Sequence, residues 1–357
     1  MSLFAALRRP GLLFLAFALA GLPVRLAADL VWTPEGGWKI EGGVFSGLSG
    51  QESRSALDLM NRARSAEEKR HYHSALKSYT KVTKRFPNSV YSPEAFYRMA
   101  YIYLARHQYL KAFQSFQEIV MRYPNTTRFN QVIGEQYRIA SALLDGARNR
   151  GWLILPGFKN REASLALFEQ VLANAPYSEY APLSLMSEAK AFQTFGEYEE
   201  SIDALDRMIN TYPKSLLTPD AYLKMGQAYA SLVEGPNYDQ TSTKEAITYF
   251  EDFVILYPGD PNIATAEKGL AQMKTVLAES KLRIGEYYFK YRKNYKAARV
   301  FYNEAITDYP DSAIATRART ALIKVDALLA AQEKAAAGGP AAAPPPPPPR
   351  KKHFLFF

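Results

Sequence analysis

An amphipathic helical pattern with the same ending recurs through the middle of the chain. The ending is an aromatic residue or alanine followed by proline, and it occurs at Phe86-Pro87, Tyr123-Pro124, Ala175-Pro176, Tyr212-Pro213, Tyr257-Pro258 and Tyr309-Pro310. Proline ends a helix because it lacks an amide donor and biases the preceding residue away from the α conformation. Six such endings predict a solenoid of stacked helix pairs.

A second signal fixes where the later helix of a pair begins. Fifteen residues before four of the prolines stands a tyrosine, followed three residues later by a small residue and four residues after that by a large apolar one. The three sets are Tyr72, Tyr109, Tyr198 and Tyr295; Ala75, Ala112, Ser201 and Ala298; and Tyr79, Phe116, Leu205 and Tyr302. Small side chains allow close helix approach, and the large ones fill the space between neighbouring pairs.

The period identifies the class of solenoid. Two proline intervals are 37 residues, close to the ~34 residues of a tetratricopeptide helix pair, and the longer intervals fit the same unit with insertions. We therefore predict an all-α, tetratricopeptide-type α-solenoid of about six helix pairs over residues 51–334. Residues 312–334 are predicted to form a C-terminal capping helix, which terminal repeats require.

The flanking segments differ from the repeats. Residues 1–28 have a basic start, a short apolar run and Leu26-Ala27-Ala28 before Asp29, which predicts a secretory signal peptide cleaved after Ala28. Residues 29–50 are Gly-rich and predict an extended arm with one small hairpin, whose Trp32 and Trp38 pack on the first repeat. Residues 335–357 predict a disordered Pro-rich tail with a terminal aromatic peptide containing Phe354, Phe356 and Phe357.

The composition limits which ligands the protein can bind and which reactions it can catalyse. The formal net charge is +9, but six cations fall in the leader or the tail and leave +3 for the folded body, too little for nucleic-acid binding. There are no cysteines and four histidines, and no phosphate loop, nucleophile elbow or zinc-binding helix motif occurs. We therefore predict a non-enzymatic protein without metal or cofactor.

Two surfaces are candidates for binding. Tyr97, Tyr101 and Leu104 lie on a helix whose opposite face is also aromatic, so this helix either is buried on both sides or offers one side to a peptide in a groove. The second candidate is a connection within the third repeat that holds five large apolar residues: Trp152, Leu153, Ile154, Leu155 and Phe158. This loop either contacts a partner or membrane surface, or folds back on its own repeat.

The C-terminal half resembles a known family. The stretch 247–321 contains Phe250-Glu251-Asp252-Phe253, Leu256-Tyr257-Pro258, Ile284-Gly285-Glu286-Tyr287-Tyr288-Phe289 and Asp308-Tyr309-Pro310-Asp311-Ser312. This joint pattern resembles the BamD family of the outer-membrane β-barrel assembly machinery. The resemblance implies a periplasmic scaffold at the inner face of the outer membrane. Its C-terminal repeats would dock on the barrel-forming subunit, and its N-terminal repeats would receive unfolded barrel substrates.

The resemblance also implies which residues dock. In the matching segment these are Glu286, Tyr287, Tyr288, Arg292 and Lys293. The family's lipid-accepting cysteine is absent from the sequence, so we expect peripheral membrane association through partners. The tail either acts as a binding peptide, on this protein's own groove or on a neighbouring subunit, or is an extension without function.

Two other functions remain open at the level of sequence. The Phe-Pro-Asn-Ser type of phrase at residues 86–91 is also similar to periplasmic coordinators of envelope constriction or cell-wall synthesis. A cell-wall hydrolase with a helical solenoid would need a separate catalytic module, for which no segment is left.

Overall fold

Thirteen α-helices make up most of the structure. The computed structural model describes residues 29–41, 50–150, 158–159 and 161–337. The helices within these ranges are α1 (Gly50–Glu68), α2 (Tyr72–Arg85), α3 (Tyr91–Ala105), α4 (Tyr109–Arg122), α5 (Phe129–Leu144), α6 (Ala163–Asn174), α7 (Tyr180–Phe195), α8 (Tyr198–Thr211), α9 (Thr218–Ser231), α10 (Thr241–Leu256), α11 (Ile263–Tyr287), α12 (Tyr295–Asp308) and α13 (Ala313–Ala337). Six helix pairs followed by one last helix confirm the predicted tetratricopeptide-type solenoid.

The recurring tyrosine marks the start of the second helix in four pairs. Helices α2, α4, α8 and α12 each begin at it. The small residues three positions later are fully buried, and the large residues that follow are at most 1% exposed. Each helix also ends just before its aromatic-Pro pair, as α2 does, where the amide of Phe86 still donates to the carbonyl of Val82 (2.9 Å). The local sequence therefore sets both ends of these helices.

The chain divides into two units, with the boundary between Ala181 and Pro182, within α7. In the first unit a hairpin of β1 (Asp29–Thr33) and β2 (Gly37–Glu41) pairs Trp32 with Trp38. Trp38 is 2% exposed and its amide donates to Asn61 Oδ1 of α1 (3.0 Å). The hairpin therefore covers the first helix pair, as the two tryptophans predicted.

The second unit has a core centred on buried aromatic rings. Phe250 and Phe253 of α10 pack with Leu223 and Met273, and Tyr302 of α12 packs in a second cluster with α11 and α13. A π-helical turn, Tyr288–Arg292, extends α11. Asn294 then caps α12 by accepting the amide of Ala297 on its Oδ1 atom (3.1 Å).

The turns between paired helices share one backbone feature. Arg70, His107, Gly196 and Lys293 have φ angles of 58°, 56°, 82° and 51°, and each stands two residues before the tyrosine that begins the next helix. A left-handed residue after a helix reverses the chain and lets the next helix start. His107 therefore has a structural role as the left-handed residue of the turn between α3 and α4.

Several predicted features lie outside the described residues. These are the signal peptide at 1–28, the loop residues Trp152, Leu153, Ile154 and Leu155, and the tail from residue 338 onward. Phe158 is present as the start of β4 (Phe158–Lys159), which pairs antiparallel with β3 (Arg148–Asn149). No helix in the described ranges is both long enough and apolar enough to cross a membrane.

Candidate functional site

The aromatic face of α3 is a hydrogen-bonded layer on the core of the first unit. Tyr97 is 8% exposed, and its ring meets Phe116 of α4 edge-on, with ring centroids 5.8 Å apart. Tyr97 donates to the hydroxyl of Tyr101 (3.1 Å), and Tyr101 donates to Glu135 Oε1 of α5 (2.7 Å). Burial and these bonds raise the pKa of Tyr101. Of the predicted groove residues, Tyr97 is therefore mainly core, while Tyr101 and Leu104 remain partly exposed.

A chain of charged side chains continues from this layer, with the buried Glu94 at its centre. Arg128 lies over the ring of Tyr97, 4.8 Å from its centroid, and pairs with Glu94 of α3. Glu94 also pairs with Arg98 (2.8 Å), whose guanidinium comes within 4.0 Å of Glu67 at the end of α1. Burial raises the pKa of Glu94, and the two arginines oppose that rise. Sequence reasoning missed Glu94, although its position directly after Pro93 in the first helical turn was visible.

Tyr101 lines an open recess at the end of the first helix pair. The recess has a volume of about 250 Å³ and is bordered by Arg64, Glu67, Arg70 and Tyr72 as well. Glu67 accepts hydrogen bonds from Tyr79 (2.8 Å) and Arg64 (3.0 Å). Charged walls beside two phenol rings, those of Tyr72 and Tyr101, have the dimensions and chemistry of a site for a short polar or aromatic segment.

The base of the inserted connection is attached to the preceding repeat. Asn149 of β3 accepts the amide of Leu110 on its Oδ1 atom (3.3 Å), and the amide of Arg150 donates to the carbonyl of His107 (2.9 Å). His107 lies in the turn between α3 and α4, and Leu110 lies in the first turn of α4. Asn149 and Arg150 are therefore held beside this turn.

The docking residues that the resemblance implies lie at the end of α11 and in the π-turn. Tyr287 is 49% exposed and Tyr291 is 76% exposed, with ring centroids 5.8 Å apart. The ring of Tyr288 instead stacks on Phe301 of α12 (5.5 Å, 4° between planes). Adjacent helical residues point about 100° apart, which explains why one tyrosine faces solvent and the next faces its own fold.

The charges of this surface are distributed unevenly. Glu286 pairs with Lys290 (3.0 Å) and lies 3.9 Å from Arg317 of α13. Arg292 and Lys293 are exposed. The exposed edge therefore combines two phenol rings with two cations. The resemblance pointed to this segment but not to Tyr291 and Arg317, which the π-turn and the packing of α13 bring beside it.

The described residues offer no candidate metal centre. Within them, no group of three or more His, Cys, Asp or Glu side chains is arranged to hold an ion. Both surfaces present aromatic rings and charged side chains. The fold defines the class: a tetratricopeptide-type helical-repeat protein, here with an aromatic-basic edge at the end of α11.

Comparison with known proteins gives the family. The family model described as an outer membrane lipoprotein, YfiO, matches residues 159–338, and a tetratricopeptide repeat model matches residues 60–125. The chain belongs to the YfiO family. The BamD-like resemblance found in the sequence is thereby confirmed.

The curated relatives are outer membrane protein assembly factors BamD. That of Rickettsia prowazekii is 27% identical over 161 residues, which cover 45% of this chain and 63% of the relative. That of Caulobacter vibrioides is 27% identical over 131 residues, which cover 37% and 43%. The chain thus spans less than two thirds of the length of these relatives.

Solved structures of repeat proteins also match. The crystal structure of MamA is 17% identical and covers 62% of this chain and 96% of its own, with a TM-score of 0.32. A tetratricopeptide repeat protein from Bacteroides fragilis is 15% identical and covers 76% and 98%, with a TM-score of 0.35.

Proposed function

We propose that this protein is a non-enzymatic scaffold of the outer-membrane β-barrel assembly machinery. It works in the periplasm at the inner face of the outer membrane, held there by its partners, and it uses no cofactor and binds no nucleic acid. The observation that carries the proposal is the family match over residues 159–338, which contains the exposed aromatic-basic edge at the end of α11.

The proposed contact with the barrel-forming subunit is the C-terminal docking surface, defined by Glu286, Tyr287, Tyr288, Arg292 and Lys293. Tyrosine and arginine are enriched among residues that dominate binding energy at interfaces, because they combine large contact area with hydrogen-bonding groups. Tyr287 supplies exposed ring area, Arg292 and Lys293 supply charge, and the stacked Tyr288 holds the turn in place.

Charge reversal tests this contact. The double variant Arg292→Glu and Lys293→Glu is expected to reduce co-purification of the barrel-forming subunit at least tenfold. Both cations are exposed, and the replacement reverses the charge that the docking surface presents to the partner. Lys268→Glu, an exposed lysine at the other end of α11, is the matched control and should leave recovery unchanged. Equal recovery of the partner with all three proteins would remove the docking surface from the proposal.

Unfolded barrel substrates are proposed to bind at the recess beside Tyr101. Its phenol ring and charged walls suit a short segment with an aromatic residue and polar groups. A photo-crosslinking residue at Tyr72, in the recess, should capture unfolded outer-membrane proteins in the envelope. The same residue at Lys81, which is exposed on α2 outside the recess, should not. Equal capture at both positions would argue against a defined substrate site.

The apolar residues of the insertion are proposed to contact a partner or the membrane surface. These are Trp152, Leu153, Ile154, Leu155 and Phe158. Replacing Trp152 and Leu153 with serine should lower membrane-fraction recovery without changing helix content. Unchanged recovery would indicate that this connection serves its own repeat.

A further inference from the structure

Tyr222 and Tyr229 of α9, Tyr249 of α10 and Tyr257, directly after α10, form a continuous line, the tyrosine row. Ring centroids are 5.8 Å apart for Tyr257 and Tyr222, 6.1 Å for Tyr222 and Tyr249, and 5.6 Å for Tyr249 and Tyr229. Tyr222 and Tyr229 are two helical turns apart, about 10 Å along α9, so Tyr249 lies between them and the row is extended. All four rings are partly exposed.

Acidic residues lie beside one half of the row. Burial, followed by the negative charges of Glu245 and Asp206, raises the pKa of Tyr229. Burial, followed by Tyr229, Asp206 and Glu245, raises the pKa of Tyr249 to about 12. Both carboxylates are exposed, Asp206 on α8 and Glu245 on α10. The row is therefore an aromatic surface with negative charge beside its Tyr229 half.

The spacing of the rings suits one kind of ligand. A polyproline II segment rises ~3.1 Å per residue, so every second residue advances ~6.2 Å, close to the 5.6–6.1 Å between neighbouring rings. Proline rings pack on aromatic faces, which is how aromatic-lined grooves recognise Pro-rich segments. The backbone of such a segment makes no internal hydrogen bonds, and tyrosine hydroxyls can donate to its carbonyls.

We propose that the tyrosine row binds the proline run Pro344–Pro349 of this chain's own tail. Six residues of polyproline II span ~19 Å, about the length of four rings. The run is followed directly by Arg350-Lys351-Lys352, whose charge is complementary to that of Asp206 and Glu245. The row belongs to the same unit as α13, the helix that precedes the tail.

This inference goes beyond the proposed assembly function and does not depend on it. A tail held on the row keeps the aromatic end, Phe354–Phe357, beside the second unit. The end is then a regulated element, exposed to partners or withdrawn from them according to whether the prolines are bound. The tail and any external Pro-rich peptide would compete for one site.

Binding of a labelled peptide tests the proposal directly. The probe is a fluorescent synthetic peptide of residues 342–352, added to the full chain and to a version ending at Ala343, which keeps every described helix. The shortened version should bind the peptide at least tenfold more tightly, because the full chain's own tail competes.

A peptide with the six prolines replaced by alanine has the same charge and should bind at least tenfold more weakly. Equal binding of the two peptides would overturn the proposal, since charge alone would then explain it.

Substitutions and hydrogen exchange locate the site. Tyr222→Leu and Tyr249→Leu in the shortened version should each weaken binding at least tenfold, whereas Tyr291→Leu, at a 76%-exposed tyrosine outside the row, should not. If the row variants fold poorly, amide hydrogen exchange tests whether the tail occupies the row without any substitution. Residues 222–229 and 249–257 should exchange more slowly in the full chain than in the version ending at Ala343. Equal exchange rates would mean that the tail does not occupy the row.

Discussion

One small residue controls the contact between α11 and α12. A Cβ atom added at Gly285 would lie 2.7 Å from ring atoms of Tyr302, which is 1% exposed. Gly285→Ala should therefore lower the free energy of unfolding by about 1–2 kcal/mol, because overpacking outweighs the ~1 kcal/mol that alanine gains in a helix. Urea unfolding measures this change.

Gly259→Ala is the matched control, because an added Cβ there meets nothing within 4 Å. It should leave the free energy of unfolding within about 0.5 kcal/mol of the parent, as surface substitutions usually do. A similar effect at both glycines would contradict the close approach at Gly285.

The hydroxyl of Tyr101 is the link between α3 and α5. Tyr101→Phe removes the 2.7 Å bond to Glu135, which is 5% exposed and keeps Arg138 as an ion-pair partner (3.3 Å). We expect a loss of about 1–3 kcal/mol in unfolding free energy, since the buried carboxylate loses its hydroxyl donor and keeps only the exposed Arg138 as a partner. Tyr291→Phe, at an exposed ring, should be neutral in the same urea titration. A neutral Tyr101→Phe would mean that water replaces the donor.

At the scale of the element, the left-handed turns predict opposite changes in stability for substitutions at two of their residues. His107 has a φ of 56°, a conformation that costs a non-glycine residue ~1–2 kcal/mol, so His107→Gly should stabilise by up to about 1 kcal/mol after the entropy cost of glycine. Gly196, at φ 82°, occupies the same place after α7, and Gly196→Ala should destabilise by about 1 kcal/mol. Thermal unfolding should therefore shift up for the first and down for the second, and two shifts of one sign would refute the shared turn.

The helices were predictable because their signals are local. The tyrosine that begins α2, α4, α8 or α12 and the proline that follows each of these helices lie within one repeat, so counting along the chain finds both. The small buried residue three positions after the tyrosine follows from the same count.

The features that the sequence did not predict depend on contacts between helices that are far apart in the chain. Tyr97 and Tyr101 are one turn apart in sequence, but whether they face a peptide or the core is decided by Phe116 and Glu135 on other helices. The tyrosine row alternates between α9 and α10, so no period along one helix shows it. The π-turn that exposes Tyr291 has no short-range sequence signal.

For the whole molecule, buried and partly buried tyrosine hydroxyls predict how stability responds to alkaline pH. Burial, as the first cause, raises the pKa of Tyr79 and Tyr101, and raises those of Tyr249 and Tyr302 to about 12. The ordinary tyrosine pKa is about 10, so the unfolded chain loses these protons first. The resulting stability is fully present below about pH 10 and is lost as pH rises toward 12.

The urea midpoint should accordingly stay level from pH 8 to about 10 and fall between about 10 and 12. Tyr302→Phe keeps the ring but removes one titrating group, so its midpoint should fall less steeply over the same range. A parent midpoint independent of pH up to 12 would show that these phenols titrate normally in the folded protein.

The short ribbon of β3 and β4 makes the protein convenient to label. Arg148 pairs with Lys159 and Asn149 with Phe158, so the chain leaves and re-enters the solenoid at neighbouring points between α5 and α6. Chain added between such points does not change the spacing of the helices on either side. A short affinity tag joined between Arg150 and Gly151 would report position in the envelope, and it would leave the proposed contact residues and both chain ends unchanged in sequence.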